Sequence, residues 1–230
     1  MLKIEDLSFS YGGVQCLSEV SLCAEKASVT CILGRNGVGK TTLLKNIMGL
    51  LRPATGRILL GDDDLTSLPA NGRARAGFGY VPQGRQIFPR LTVEENLLIG
   101  LEAGKNVRGI SGEIFRLFPV LEEMRRRMGG DLSGGQQQQL AIARALVGEP
   151  SVLLLDEPTE GVQPNIITKI GEVLVSLARE RSMTIILVEQ YLDFVRKVGD
   201  LFHVLDRGRV VASGETSNLN EDVVRRHLSV

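Results

Sequence analysis

The sequence lacks a charge excess of either sign, because 27 basic residues cancel 27 acidic ones. That removes the broad field which draws a protein onto nucleic acid or anionic lipid, so any anion must be bound locally. Cysteine is scarce. Cys16, Cys23 and Cys31 are odd in number, lie among apolar neighbours and lack the paired spacing of a zinc site or redox motif. They read as small core hydrophobes in a reducing compartment. No apolar run approaches the roughly 20 residues that span a bilayer, and Met1-Leu2-Lys3-Ile4-Glu5-Asp6 is charged too early for a signal peptide. Low-complexity segments and long linkers are also missing, since the 8 prolines and 26 glycines are scattered between apolar segments. Histidine is limited to His203 and His227, which read as structural residues.

What is present is enough apolar sequence, 43% of 230 residues, to form a core without disulfides or metal, burying roughly 70% of the unfolded surface. Aliphatic, β-branched runs at 28–33, 151–155 and 184–188 alternate with helical patterns at 40–51, 133–147 and 165–180. This alternation predicts buried parallel strands in an α/β sheet. Segments 3–7, 20–24 and 57–60 read as strands of a flanking antiparallel sheet, the part that would hold a nucleotide base. Between Pro89 and Gly130 the pattern turns helical: Thr92-Val93-Glu94-Glu95 is a capping box and 113–127 a second helix. Arg125-Arg126-Arg127 falls near that helix's C-terminus and reads as solvated charge. Residues 204–214 form a hairpin turning at Arg207-Gly208, and Asn220 is placed to cap a short final helix.

Gly34-Arg35-Asn36-Gly37-Val38-Gly39-Lys40-Thr41 matches the P-loop in every fixed position and lies between a predicted strand and a predicted helix. Its glycines let successive backbone N–H groups turn around a phosphate at a helix N-terminus. Lys40 would reach the β and γ phosphates, with Thr42 just inside the helix, and the Thr41 hydroxyl would ligate Mg²⁺. Asp156 ends the strand Val152-Leu153-Leu154-Leu155, where a carboxylate can hold the same Mg²⁺. Glu157 follows and can orient or deprotonate an attacking water. A P-loop alone leaves kinases, GTPases and other ATPases open.

Leu132-Ser133-Gly134-Gly135-Gln136, opening a helix with two glycines, resembles the signature of ABC ATPases. The motifs occur in that family's order across nearly the whole chain. The resemblance implies an α/β fold of the P-loop NTPase, ABC ATPase type. Such a fold has a mixed central sheet, a flanking antiparallel β subdomain and an inserted helical subdomain. Residues 1–230 would form a single domain, with the core and β lobe at 1–88 and 150–230 and the helical lobe at about 89–149. It further implies that the signature contacts ATP held by a partner subunit, that Tyr11 stacks on adenine, and that Gln83 senses Mg²⁺ and the membrane partner. ATP and Mg²⁺ are the implied cofactors. The implied partners are a second, non-identical ATPase subunit, two integral membrane permease subunits and, indirectly, a periplasmic or extracellular solute-binding protein. Pairing with a second copy remains open for the isolated chain, and no nucleic acid is expected. Such a subunit sits peripherally on the cytoplasmic face of the membrane.

Two positions depart from the family's pattern. Gln190 stands where most members have a histidine, and it can donate a hydrogen bond but cannot become charged; Gln163 stands where many have an aspartate. Leu187-Val188-Glu189-Gln190 resembles the second ATPase of the branched-chain amino-acid transporter family. Within it, the segment from Gly84 to Leu97, Gln136 to Gln139, and Glu157-Pro158-Thr159-Glu160-Gly161 with Gln163-Pro164 look most like the urea-transport subunit. The resemblance therefore implies an ATPase powering a urea importer, or alternatively a branched-chain amino-acid importer; the alternative of another class is a non-transport ABC ATPase or an ATP-dependent regulatory module. Gln83 and the segment from Phe88 to Leu98 are expected to line a groove for a permease helix, on the strength of the apolar set Phe88, Leu91, Val93 and Leu97, which at helical spacing equally fits the core of the helical lobe.

Overall fold

The computed structural model describes residues 1–104 and 109–219 with positions 224, 225 and 228. In chain order it runs β1 (Leu2–Tyr11), β2 (Val14–Ala24), β3 (Ser28–Leu33), α1 (Lys40–Ile47), β4 (Thr55–Leu60), β5 (Asp63–Asp64), α2 (Ala70–Arg75) and β6 (Phe78–Val81). Four helices follow, α3 (Val93–Gly100), α4 (Gly112–Leu117), α5 (Pro119–Glu123) and α6 (Gly134–Leu146). The chain continues as β7 (Val152–Asp156), α7 (Pro164–Glu180), β8 (Thr184–Val188), α8 (Leu192–Val198), β9 (Leu201–Asp206) and β10 (Arg209–Glu215). Asn220 and His227 lie outside the described residues.

Two sheets organise these elements, one ordered β2-β1-β4-β5 and the other β10-β9-β3-β8-β7-β6. The first is antiparallel; the second is parallel except for the β9–β10 hairpin. Every residue of β3, β7 and β8 is buried, as expected of strands covered on both faces. Their side chains alternate between two cores. Cys31, Leu153, Leu155, Ile185 and Leu187 pack with residues of α6, α7 and α8, including Leu140, Leu174 and Phe194. Ile32, Leu154, Ile186 and Val188 pack instead with Leu43 and Ile47 of α1 and with Leu2, Ile4 and Val20 of the antiparallel sheet. Val93 and Leu97 of α3 and Phe115 and Leu121 belong to the first cluster, so the helices between β6 and β7 share their core with the parallel sheet. Among the described residues no helix is long and apolar enough to cross a membrane.

Several expected elements are corrected. The helix expected at 113–127 is two short ones, broken at Phe118 (φ −132°, ψ 74°), because Pro119 disfavours helical geometry in the residue before it. The helix expected at 40–51 stops at Ile47, and Gly49 turns the chain with φ 76°. The capping box is present: Thr92 Oγ1 accepts from Glu95 N at 3.2 Å, and Glu95 Oε2 from Thr92 N at 2.7 Å. Arg125, Arg126 and Arg127 are exposed, as expected, but lie beyond α5, which ends at Glu123; Arg125 also pairs with Glu94 at 2.5 Å and lies over the Phe115 ring. Cys31 is buried as expected, but Cys23 is exposed and Cys16 is only half-buried.

Arg73 holds the C-terminal end of α1. It is 1% exposed, and its guanidinium donates to Asn46 O, Ile47 O, Leu68 O and Thr66 O at 2.5 to 3.1 Å. Helix ends leave carbonyls without intrahelical partners, and a cation there also opposes the negative end of the helix dipole. Burial pulls its pKa down to about 10, which still leaves it charged at neutral pH. Arg73→Leu should therefore destabilise the fold by about 3 kcal/mol or more, since hydrogen bonds to a charged group contribute roughly 1.5–3 kcal/mol each. A urea titration reads this as a lower midpoint with an unchanged slope.

Candidate active site

The carboxyl ends of three adjacent parallel strands meet at one level: Ile32 pairs with Val188, and Val188 with Asp156. The loops that follow β3, β7 and β8 therefore converge, the usual place for a ligand in an open α/β sheet. They border a cleft of about 640 Å³ whose walls include Asn36, Lys40, Thr41, Gln83, Glu157 and Gln190, residues that lie far apart in sequence. That volume suits a nucleotide.

Two P-loop glycines are required by their surroundings. A Cβ on Gly34 would stand 2.4 Å from Leu205 O, and one on Gly39 (φ 109°) 2.9 Å from Leu17 Cδ2. Gly39 is the N-cap of α1, so the helix begins at the cleft wall with its N–H groups directed there. Lys40 is 5% exposed. Its ammonium donates to Gly34 O at 2.7 Å and Arg35 O at 3.0 Å and faces Glu157 Oε1 at 3.4 Å.

Asp156 is 1% exposed, and neither carboxylate oxygen has a hydrogen bond within ordinary limits. Burial raises its pKa; the nearby Thr41 hydroxyl opposes this without outweighing it, and the Glu157 charge adds to the rise. A buried carboxylate left without donors is the feature a divalent cation would satisfy. Among the described residues no group of three acidic, His or Cys side chains could hold a metal. The buried Asp156 carboxylate with the Thr41 hydroxyl beside it suits Mg²⁺, which typically takes one or two protein ligands and completes its shell with water and phosphate.

Glu157 has φ 49°, a left-handed conformation unusual for a residue with a side chain and kept only where surroundings hold it. Its N–H donates to Val188 O at 2.9 Å. Gln190 Nε2 donates to Glu157 Oε1 at 2.5 Å and to Asn36 Oδ1 at 2.7 Å. Gln83 Nε2 donates to Glu157 Oε2 at 3.2 Å and to Glu160 Oε2 at 3.0 Å. The lysine and both glutamines predicted from sequence thus each reach Glu157.

Other predicted residues lie elsewhere. Tyr11 is half exposed, packs edge-on against Phe9 and is not among the residues lining this cleft. Ser133 caps α6 in a capping box with Gln136. Ser133 to Gln136, with Gln163, border a separate groove beside Lys169 that shares no lining residue with the P-loop cleft. Leu132 is buried behind it. Gly135 is close-packed, for a Cβ there would stand 3.1 Å from Ile166. Of the residues expected to form a permease groove, Val93 and Leu97 are fully buried core, whereas Phe88 is 43% and Leu98 45% exposed. His203 lies in β9, and burial lowers its pKa.

Glu189 was not picked out from sequence. It is 2% exposed and accepts from Thr159 N, Thr159 Oγ1, Gln190 N and Tyr191 N at 2.7 to 3.2 Å. Burial raises its pKa against these bonds. The only sequence signal was an acid directly after the apolar strand Thr184–Val188.

The ABC transporter family profile matches residues 17–160. The high-affinity branched-chain amino acid transport ATP-binding protein BraG of Pseudomonas aeruginosa is 40% identical over 92% of this chain and 91% of its own. A probable branched-chain amino acid transport ATP-binding protein, LivF of Archaeoglobus fulgidus, is 37% identical over 96% and 94%. The lipopolysaccharide export system ATP-binding protein LptB of Haemophilus influenzae is 34% identical over 98% and 95%. Among solved structures, a nucleotide-free ATP-binding cassette from an ABC transporter superposes with TM-score 0.83 at 29% identity, covering 100% of this chain and 95% of the other. A dimeric post-hydrolysis cassette bound to ADP and Pi gives 0.83 at 26%, over 94% and 99%. With a P-loop, a buried Asp156 and a carboxylate base candidate at one sheet edge, the chain belongs to the ABC transporter family as an ATP-hydrolysing subunit.

Proposed function

We propose that this ATPase powers import of branched-chain amino acids. The observation that carries the reading is the likeness to BraG and LivF over nearly the full chain. The relatives give the urea reading no support and favour its alternative. In this reading the P-loop from Gly34 to Thr42, with Arg35, Asn36, Gly37 and Val38 supplying backbone, holds the triphosphate, and Lys40 neutralises it. Thr41, Asp156 and Gln83 would hold Mg²⁺, which would draw charge from the phosphates; Glu157 takes the proton of the attacking water, and Gln190 orients Glu157. Tyr11 stacks on the base, and Leu132 to Gln136 meet ATP on a second, non-identical subunit, with residues 89–149 as the lobe presenting them. The pair sits on the cytoplasmic face of the membrane against two permease subunits that receive solute from a binding protein.

Uptake of labelled leucine and labelled urea, at low concentration in the native cell carrying Glu157→Gln, tests the cargo. Loss of leucine uptake alone is the expected result. Loss of urea uptake alone would restore the urea reading, and loss of neither would remove both. Phe88 and Leu98 supply the exposed apolar contact to the permease. Leu98→Glu should lower uptake about tenfold or more, the scale of losing one well-buried interface anchor, with ATP affinity unchanged. Unchanged uptake would refute the contact.

A further inference from the structure

We infer that Glu189 is a positioning residue which staples the segment bearing Glu157 to the segment bearing Gln190. The inference rests on the proposed role of Glu157 as base. Thr159 follows Glu157 by two residues, and its N–H and hydroxyl both donate to Glu189 Oε1, at 3.1 and 2.7 Å. The other oxygen, Oε2, accepts from the N–H groups of Gln190 and Tyr191, at 2.9 and 3.2 Å. One buried carboxylate therefore joins the loop after β7 to the loop after β8. Directly above it, the Gln190 amide meets the Glu157 carboxylate at 2.5 Å.

The chemistry calls for a carboxylate here. All four partners are donors, and only an ionised acid presents acceptors alone. A glutamine amide would turn an N–H₂ toward two of those donors, leaving buried N–H groups without acceptors. Local preference cannot supply what the staple supplies, because Glu157 occupies a left-handed conformation that needs tertiary contacts to persist. With its oxygens taken by four donors and 2% exposure, Glu189 has no free lone-pair direction with which to act on water itself.

The test is steady-state ATP hydrolysis and fluorescent ATP-analogue binding by the full chain, purified with its partners from native membranes. Glu189→Gln should lower kcat about 100-fold, the scale for misplacing a reacting group by ~1 Å, while the KM for ATP stays within about twofold. Turnover retained within about twofold would overturn the inference, as would parallel loss of binding and turnover, which marks a merely structural role. Should Glu189→Gln not fold, Thr159→Val and Thr159→Ser decide. Valine should lower kcat about tenfold, the effect of ~1.4 kcal/mol, and serine should restore it; equal turnover of the two would refute the staple. Glu157→Gln, run alongside, separates the two ideas. Turnover persisting in that variant removes the base reading. Turnover lost there but kept in Glu189→Gln removes only the staple.

Discussion

Glu157→Gln should lower ATP turnover by roughly 10² to 10⁴-fold, the usual contribution of a positioned general base, while ATP still binds. The amide keeps the shape and one acceptor oxygen but cannot take a proton. Glu157 is the point where Lys40, Gln83 and Gln190 converge, at 3.4, 3.2 and 2.5 Å. All are donors, so an ionised carboxylate satisfies them and an amide satisfies only some. ATP affinity should hold or rise, because the substitution removes a negative charge from a cleft that must accept a triphosphate. Phosphate release in a single turnover, read beside equilibrium binding, checks both halves. The assignment of Glu157 as base is falsified if the variant hydrolyses ATP at the wild-type rate.

Asp156→Asn should split stability from ligand response. The Asp156 carboxylate is buried with no hydrogen bond within ordinary limits, so ionising it opposes folding. Its folded pKa is raised above the unfolded value; the folded state therefore binds the proton more tightly, and this contribution to stability is lost as pH rises through the folded pKa. At neutral pH the uncharged amide should leave the apo chain as stable as the wild type or more so. Response to ATP with Mg²⁺ should fall. For the wild type, ligand at 100 times its Kd stabilises by about 2.7 kcal/mol, and the variant should lose most of that increment while ATP with EDTA acts alike on both. Thermal melts under the two conditions read the difference. A variant less stable without nucleotide, yet fully stabilised by ATP and Mg²⁺, would remove Asp156 from the metal site.

Much of the fold was legible because the relevant physics is local. Strands β3, β7 and β8 are continuous apolar runs, which only a doubly covered sheet accommodates. The capping box at Thr92 is set by residues three apart. The helix break at Pro119 is equally local, but the apolar pattern on both sides of it has the period of one continuous helix. Strand β6 carries little local signal: Gly79 interrupts it, and its partner in the sheet, β7, lies some seventy residues on in sequence. The pattern of Phe88, Leu91, Val93 and Leu97 could not show which side faces inward, since α3 has neighbours on one flank that only packing reveals.

By itself the sequence determined the P-loop, the acid pair Asp156-Glu157 and the signature at Ser133, because phosphate cradling and strand-end chemistry require adjacent residues in a fixed order. Only the tertiary structure decided that Arg73 holds the end of α1, that Glu157 is gripped by α1 and two loops, and that Glu189 joins residues thirty positions apart. Those three depend on burial. A charged side chain in a sequence reads as surface, and it becomes a structural acceptor or donor only where the fold removes water and supplies every partner at hydrogen-bonding distance.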